Sequence, residues 1–170
     1  MITVAVLTIS DSVVAGTRED RSGAALKQRI EALGWTVKSQ DIVPDEADQI
    51  AQKLRDLAAA DHVEVVFTTG GTGIALRDVT PEATRDVIDR EIPGLSEVMR
   101  SEGRKSTPFA ALSRGLAGSR GTTLIVNLPG SPKGAVESLD AVADLIPHVV
   151  DLLHGKTQHA ASVEPKHRLL

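Results

Sequence analysis

The 170-residue chain has 41% apolar residues, a formal net charge of −4 and no cysteine. That length suits one α/β domain with a substantial core, and the acidic balance argues against nucleic acid, whose phosphates call for a basic face. The missing thiols exclude disulfides, thiolate metal sites and cysteine nucleophiles.

Trp35, Phe67 and Phe109 are the only aromatic residues, so the core must be built from aliphatic side chains. The apolar run from Ile2 to Ile9 is too short for a bilayer and has no basic segment before it. The expectation is a cytoplasmic protein without a membrane partner.

In chain order, Val4 to Ile9 reads as a strand buried on both faces, as in a parallel sheet covered by helices. Leu26, Ile30 and Leu33 share a helical face that Gly34 should end. Thr36 to Val43 is a more polar strand, expected nearer an edge. Ile50, Leu54, Leu57 and Ala58 form a second helical stripe, and Val63 to Phe67 a third strand. Thr80-Pro81 predicts an N-cap and first-turn proline, opening a helix toward Arg90. Pro93 should open another, carrying Leu95, Val98 and Met99.

Residues 103 to 121 are irregular, with room for a short antiparallel strand. Leu124 to Leu128 is the last apolar strand. Ala135, Val136, Leu139, Val142 and Ala143 then repeat at helical spacing until Pro147 breaks or restarts the helix. The pattern predicts an α/β three-layer sandwich, with a mostly parallel central sheet and helices on both faces. Residues 1–154 are expected to form a single domain and 155–170 a polar tail, which could serve as an arm on a neighbouring subunit.

Four polar clusters follow the four strands: Ser10-Asp11-Ser12, Pro44-Asp45-Glu46, Thr68 to Gly73, and Asn127 with Pro129-Gly130-Ser131-Pro132. Parallel strands would bring all four to the carboxyl edge, where open α/β sheets bind ligands. Gly70, Gly71 and Gly73 could turn N–H groups toward a phosphate, or simply make a tight turn. The loop matches neither the Walker nor the dinucleotide pattern.

Asp45 and Asp78 could each be acids at a helix start. Together beside an anion loop they could instead hold Mg²⁺ against substrate phosphates. Arg77, Arg114 and Lys133 are candidate anion partners or solvated surface charges. The histidines lack metal-ligand spacing, and no nucleophile elbow is present.

The motifs DRSG (Asp20 to Gly23), VPDE (Val43 to Glu46), TTGGTG (Thr68 to Gly73), RDVTPEAT (Arg77 to Thr84), LSR (Leu112 to Arg114) and NLPGSPKG (Asn127 to Gly134) together resemble the MogA/MoaB family of molybdenum-cofactor biosynthesis, which includes the gephyrin G domain. The similarity runs from residue 2 to 154. It implies a molybdopterin-binding-domain-like fold, a homotrimer, and transfer of AMP from ATP to molybdopterin with release of pyrophosphate. Hand-over to the molybdenum insertase follows in that family.

The resemblance assigns Asp45 and Asp78 to Mg²⁺-dependent catalysis, and the nucleotide loop to Gly70, Gly71 and Gly73. The wider candidate set for nucleotide and molybdopterin is Ser10, Asp11, Thr69, Thr72, Ser113, Arg114, Pro129, Gly130 and Ser131. Retention of both acids resembles the MogA and gephyrin branch; the alternative is a non-catalytic MoaB-like molybdopterin-binding scaffold.

Overall fold

A computed structural model describes residues 1–157 of the chain. One six-stranded sheet runs through it in the order β2-β1-β3-β6-β5-β4. Its strands are β1 (Thr3–Ile9), β2 (Thr36–Val43), β3 (Val65–Thr69), β4 (Arg90–Glu91), β5 (Ala117–Arg120) and β6 (Thr123–Leu128). β2, β1, β3 and β6 are mutually parallel, whereas β5 and β4 extend the sheet antiparallel. Thr8 pairs with Thr69, and Thr69 with Leu128, so these strands leave the sheet at one level.

The strands are enclosed because neither face of their apolar sequences tolerates water. Val4 and Val6 point into one core with Leu26, Ile30, Phe67, Leu139 and Ile146. Ala5, Leu7 and Ile9 point into the other with Ile50, Leu54, Val66 and Ile125. This period-two division is the pleat of a strand buried on both sides. Each fully buried Leu, Ile or Phe contributes roughly 1.5–3 kcal/mol.

Helices α2 (Arg21–Ala32), α5 (Pro93–Gly103), α6 (Pro132–Val142) and α7 (Ile146–Leu153) supply side chains to the first core. α3 (Ala47–Ala58) and α4 (Thr80–Arg85) supply the second, giving the expected three layers. A short α1 (Asp11–Val14) follows β1, and a 3-10 helix spans Pro108–Leu112.

Several boundaries differ from the sequence reading. β3 starts at Val65 rather than Val63 and runs on to Thr69. Val79 is the N-cap of α4; Thr80 lies inside the helix, and its hydroxyl donates to the Gly70 carbonyl at 2.9 Å instead of capping. That helix ends at Arg85 rather than nearing Arg90, because Arg90 and Glu91 pair with Ser119 and Gly118 as edge strand β4. Gly34 ends α2 as expected, at φ 79°. The expected arm falls mainly on residues 158–170, outside the described residues.

Candidate active site

All four polar clusters meet at the carboxyl edge of β2, β1, β3 and β6. Ser10 follows β1 and caps α1, its hydroxyl accepting from the Val13 N–H. Asp11 then faces the loop after β2. The Asp11 N–H donates to Asp45 Oδ2 at 2.9 Å, and the Asp45 N–H donates to Asp11 Oδ1 at 3.0 Å.

The glycine loop lies beside this pair. Gly70 and Gly71 have φ of 106° and 66°, in the left-handed region that favours glycine. Packing forbids a side chain there as well: a Cβ on Gly70 would lie 2.2 Å from the Ile9 carbonyl oxygen, and one on Gly71 2.3 Å from Thr80 Oγ1. The Gly70 N–H donates to the Leu128 carbonyl, tying the loop to β6, and Thr69 Oγ1 donates to the Pro129 carbonyl at 2.7 Å. The amides of Gly71, Thr72 and Gly73 have no protein acceptor among the described residues.

Asp45 and Asp78 flank this loop. A Cβ on Gly71 would come within 3.1 Å of Asp45 Oδ1, and one on Gly73 within 2.7 Å of Asp78 Oδ2. Asp78 Oδ2 accepts from the Ala75 N–H at 2.9 Å. Each acid thus has one oxygen held by a backbone amide, while its second oxygen has no hydrogen-bond donor among the described residues. Burial pushes the Asp45 carboxyl above its ordinary value, and the charges of Asp11 and Asp78 add to the rise. The Asp11 N–H and Arg77 act in the opposite direction.

Both acids line a cleft of about 310 Å³ with Ser10, Thr69, Gly70, Gly71, Gly130 and Ser131. A neighbouring basin of about 450 Å³ is walled by Thr72, Gly73, Ile74, Phe109, Leu112, Ser113 and Pro129. The two compartments share Gly71, Asp78, Gly130 and Ser131. Either is large enough to hold a small organic molecule.

No group of three or more His, Cys, Asp or Glu gathers as a metal site among the described residues. Two carboxylates with spare oxygens suit a hard cation that completes its shell with water and ligand phosphates.

Four candidate residues stand apart from the lining of both compartments: Asp11, whose carboxylate serves the Asp45 N–H and Arg77, and three cationic side chains. The Arg114 guanidinium lies behind the glycine loop, donating to the carbonyls of Gly73 (2.7 Å) and Asp78 (2.6 Å) and to Glu82. Arg77 is taken up by Asp11 and Glu46. Lys133 is exposed and lies 3.6 Å from Glu137.

Asp20 was missed as a site residue. Its carboxylate accepts from Thr8 Oγ1 at 2.8 Å and from the Gly23 N–H at 2.9 Å, and it lines the cleft. The DRSG motif carried that signal, since an Asp three residues before Gly23 is placed to cap a helix.

The family described as "Probable molybdopterin binding domain" matches residues 5–148. The chain is 48% identical over 153 residues to the molybdenum cofactor synthesis protein cinnamon of Drosophila melanogaster, covering 89% of this chain but 26% of that much longer protein. It is 44% identical over 156 residues to molybdopterin adenylyltransferase of Helicobacter pylori, covering 91% of this chain and 89% of that enzyme. The crystal structure of the molybdopterin biosynthesis enzyme MoaB from Thermus thermophilus superposes with a TM-score of 0.86 at 49% identity, covering 91% of this chain and 98% of that one. Profile, sequence and structure converge: the chain belongs to the molybdopterin-binding family of molybdenum-cofactor biosynthesis.

Proposed function

We propose that this protein is a molybdopterin adenylyltransferase, transferring AMP from ATP to the terminal phosphate of molybdopterin. The observation that carries this reading is the meeting of Asp45 and Asp78, from separate loops, beside the free amides of the glycine loop. Two compartments joined at that point suit a reaction between two substrates. The enzyme name comes from relatives of similar length that are 40–44% identical.

In this reading an oxygen of the molybdopterin phosphate forms a bond to the α-phosphorus of ATP. The bond from that phosphorus to the bridging oxygen breaks, and pyrophosphate leaves with the electron pair. The attacking phosphate is ionised at neutral pH, so no side chain has to act as a strong base. The amides of Gly71, Thr72 and Gly73 receive phosphate oxygens, and their fixed directions lower the cost of aligning the reactants. Asp45 and Asp78, each with one oxygen left without a donor among the described residues, would be the residues that hold Mg²⁺. When bound there, Mg²⁺ supplies positive charge to the phosphates as pyrophosphate departs.

Residues 1–154 are assigned to one binding domain and 155–170 to an appended tail. The working assembly is a cytoplasmic homotrimer that passes its product to the molybdenum insertase. Among the described residues no helix is long and apolar enough to cross a membrane. Light scattering reads the trimer directly, and a dimer would contradict it.

The decisive experiment mixes purified protein with molybdopterin, ATP and Mg²⁺ and follows pyrophosphate. Wild type releases it, while Asp45→Asn and Asp78→Asn fold normally and lose about a hundredfold or more in rate. Full activity in either variant overturns the assigned roles. The matched family is described by molybdopterin binding alone, so the second reading is a non-catalytic, MoaB-like molybdopterin carrier. Tight molybdopterin binding without ATP turnover would bring that reading forward.

A further inference from the structure

Arg77 immediately precedes Asp78, yet its side chain reaches into two other loops. Its Nε donates to Asp11 Oδ2 at 3.0 Å, and one terminal nitrogen reaches both Asp11 Oδ1 at 3.0 Å and Glu46 Oε1 at 2.9 Å. Asp11 is the residue that exchanges hydrogen bonds with Asp45, and Glu46 follows Asp45 in the chain. The loops carrying the two candidate magnesium ligands are therefore joined through one guanidinium.

We propose that Arg77 is a positioning residue that sets the separation of Asp45 and Asp78. The inference rests on the adenylyltransferase reading for its catalytic consequence, but the clamp itself can be tested in the protein alone.

Two features support this role over a general contribution to the fold. The Arg77 side chain is 57% exposed, and its partners Asp11 and Glu46 are 47% and 51% exposed. Exposed ion pairs add little to global stability, so three loops are linked here with little consequence for the core. The geometry is also specific. A planar fork spans both Asp11 oxygens, and a lysine ammonium, a point charge, cannot reproduce that while also reaching Glu46. Groups that orient metal ligands from behind commonly change metal affinity by ten- to a hundredfold when removed.

The loop clamped in this way is otherwise exposed at its tip, where Leu76 is fully accessible and Ile74 is 71% exposed. The Asp78 side of the loop keeps its links to Ala75 and Arg114 without Arg77. The Asp45 side keeps its exchange with Asp11. What is lost is the tie between the two sides.

The test compares wild type with Arg77→Met, which keeps the apolar stem, Arg77→Lys, and Glu46→Gln, which removes the charge from one arm. Amide hydrogen exchange of the ligand-free protein reads the loop around residues 73–79, and a Mn²⁺ titration with ATP reads cation binding without turnover. Arg77→Met is expected to speed exchange in this loop and weaken Mn²⁺ binding about tenfold or more. Its Tm should shift by less than about 3 °C. Arg77→Lys should recover only part of the binding, and Glu46→Gln should show a smaller loss.

Unchanged loop exchange and Mn²⁺ binding in folded Arg77→Met would overturn the clamp. Full recovery by lysine would overturn the role of the fork. Should wild type bind Mn²⁺ with ATP and show the clamp yet release no pyrophosphate, the adenylyltransferase reading fails and the positioning role stands.

Discussion

Asp11 and Asp45 hold one another through reciprocal hydrogen bonds, each carboxylate accepting the other's backbone N–H at 2.9–3.0 Å. The exchange fixes both loops but sets two acids close together, with Asp78 near enough to add its own repulsion. A site built in this way is held ready for positive charge at the expense of its own carboxylates.

The pH dependence follows from Asp45. Its folded carboxyl lies above the ordinary value of 3.8, chiefly through burial, so the folded state keeps a proton that the unfolded chain has already lost. The contribution of this group to stability therefore falls as pH rises through the window just above 3.8. Asp45→Asn keeps an oxygen for the Asp11 N–H and removes the charge. It should be at least as stable as wild type at neutral pH, with the advantage shrinking as pH drops below that window. Thermal melts from about pH 3 to 7 check this; a variant clearly weaker at neutral pH would contradict it.

Two glycines with positive φ should behave differently. Gly70→Ala drives a methyl against the Ile9 carbonyl at 2.2 Å, which only movement of a buried strand end could relieve. A loss of about 3 kcal/mol or more and collapse of the site are expected. Gly121 has φ 55° and open space around it, so Gly121→Ala should cost only about 1 kcal/mol. Chemical denaturation of the two variants gives the comparison.

Arg114 should matter for stability more than Arg77. It holds the carbonyls of Gly73 and Asp78 and also pairs with Glu82, whose carboxyl it pulls below the ordinary range. Arg114→Ala frees the loop that carries Asp78. A loss of about 2 kcal/mol is expected from the charged hydrogen bonds, lowering Tm by roughly 4–8 °C, together with reduced turnover. Calorimetry alongside the pyrophosphate assay separates the two effects.

Asn127 is buried directly beneath the glycine loop and uses both ends of its amide. Nδ2 donates to Thr68 Oγ1 and Thr84 Oγ1 at 3.0 Å each, and Oδ1 accepts from the Leu116 N–H at 3.2 Å. Asn127→Ala leaves that N–H without its partner and empties the space. About 3 kcal/mol of destabilisation is expected in urea unfolding. A change below about 0.5 kcal/mol would show the network to be dispensable.

The sequence by itself determined the layers and the location of the candidate site. Continuous apolar strands such as β3 and β6 must be covered on both faces, and helical stripes such as Ile50, Leu54 and Leu57 supply the cover. Once those strands run parallel, the clusters that follow them have to emerge together. Asp45, Asp78 and the glycine loop were legible for this reason, and the family motifs named them independently.

Only the tertiary structure decided what each polar group touches. Periodicity places Thr80 at a helix start but cannot show that Gly70 takes its hydroxyl. Nor can it reveal that Arg77 bonds Asp11, 66 residues away, that Arg114 grips Gly73 across 41, or that Asp20 opens onto the cleft. Helix and strand patterns repeat within a few residues, because backbone hydrogen bonding and side-chain direction are local. The partner of a long charged side chain is instead set by which loops the finished sheet brings within its reach.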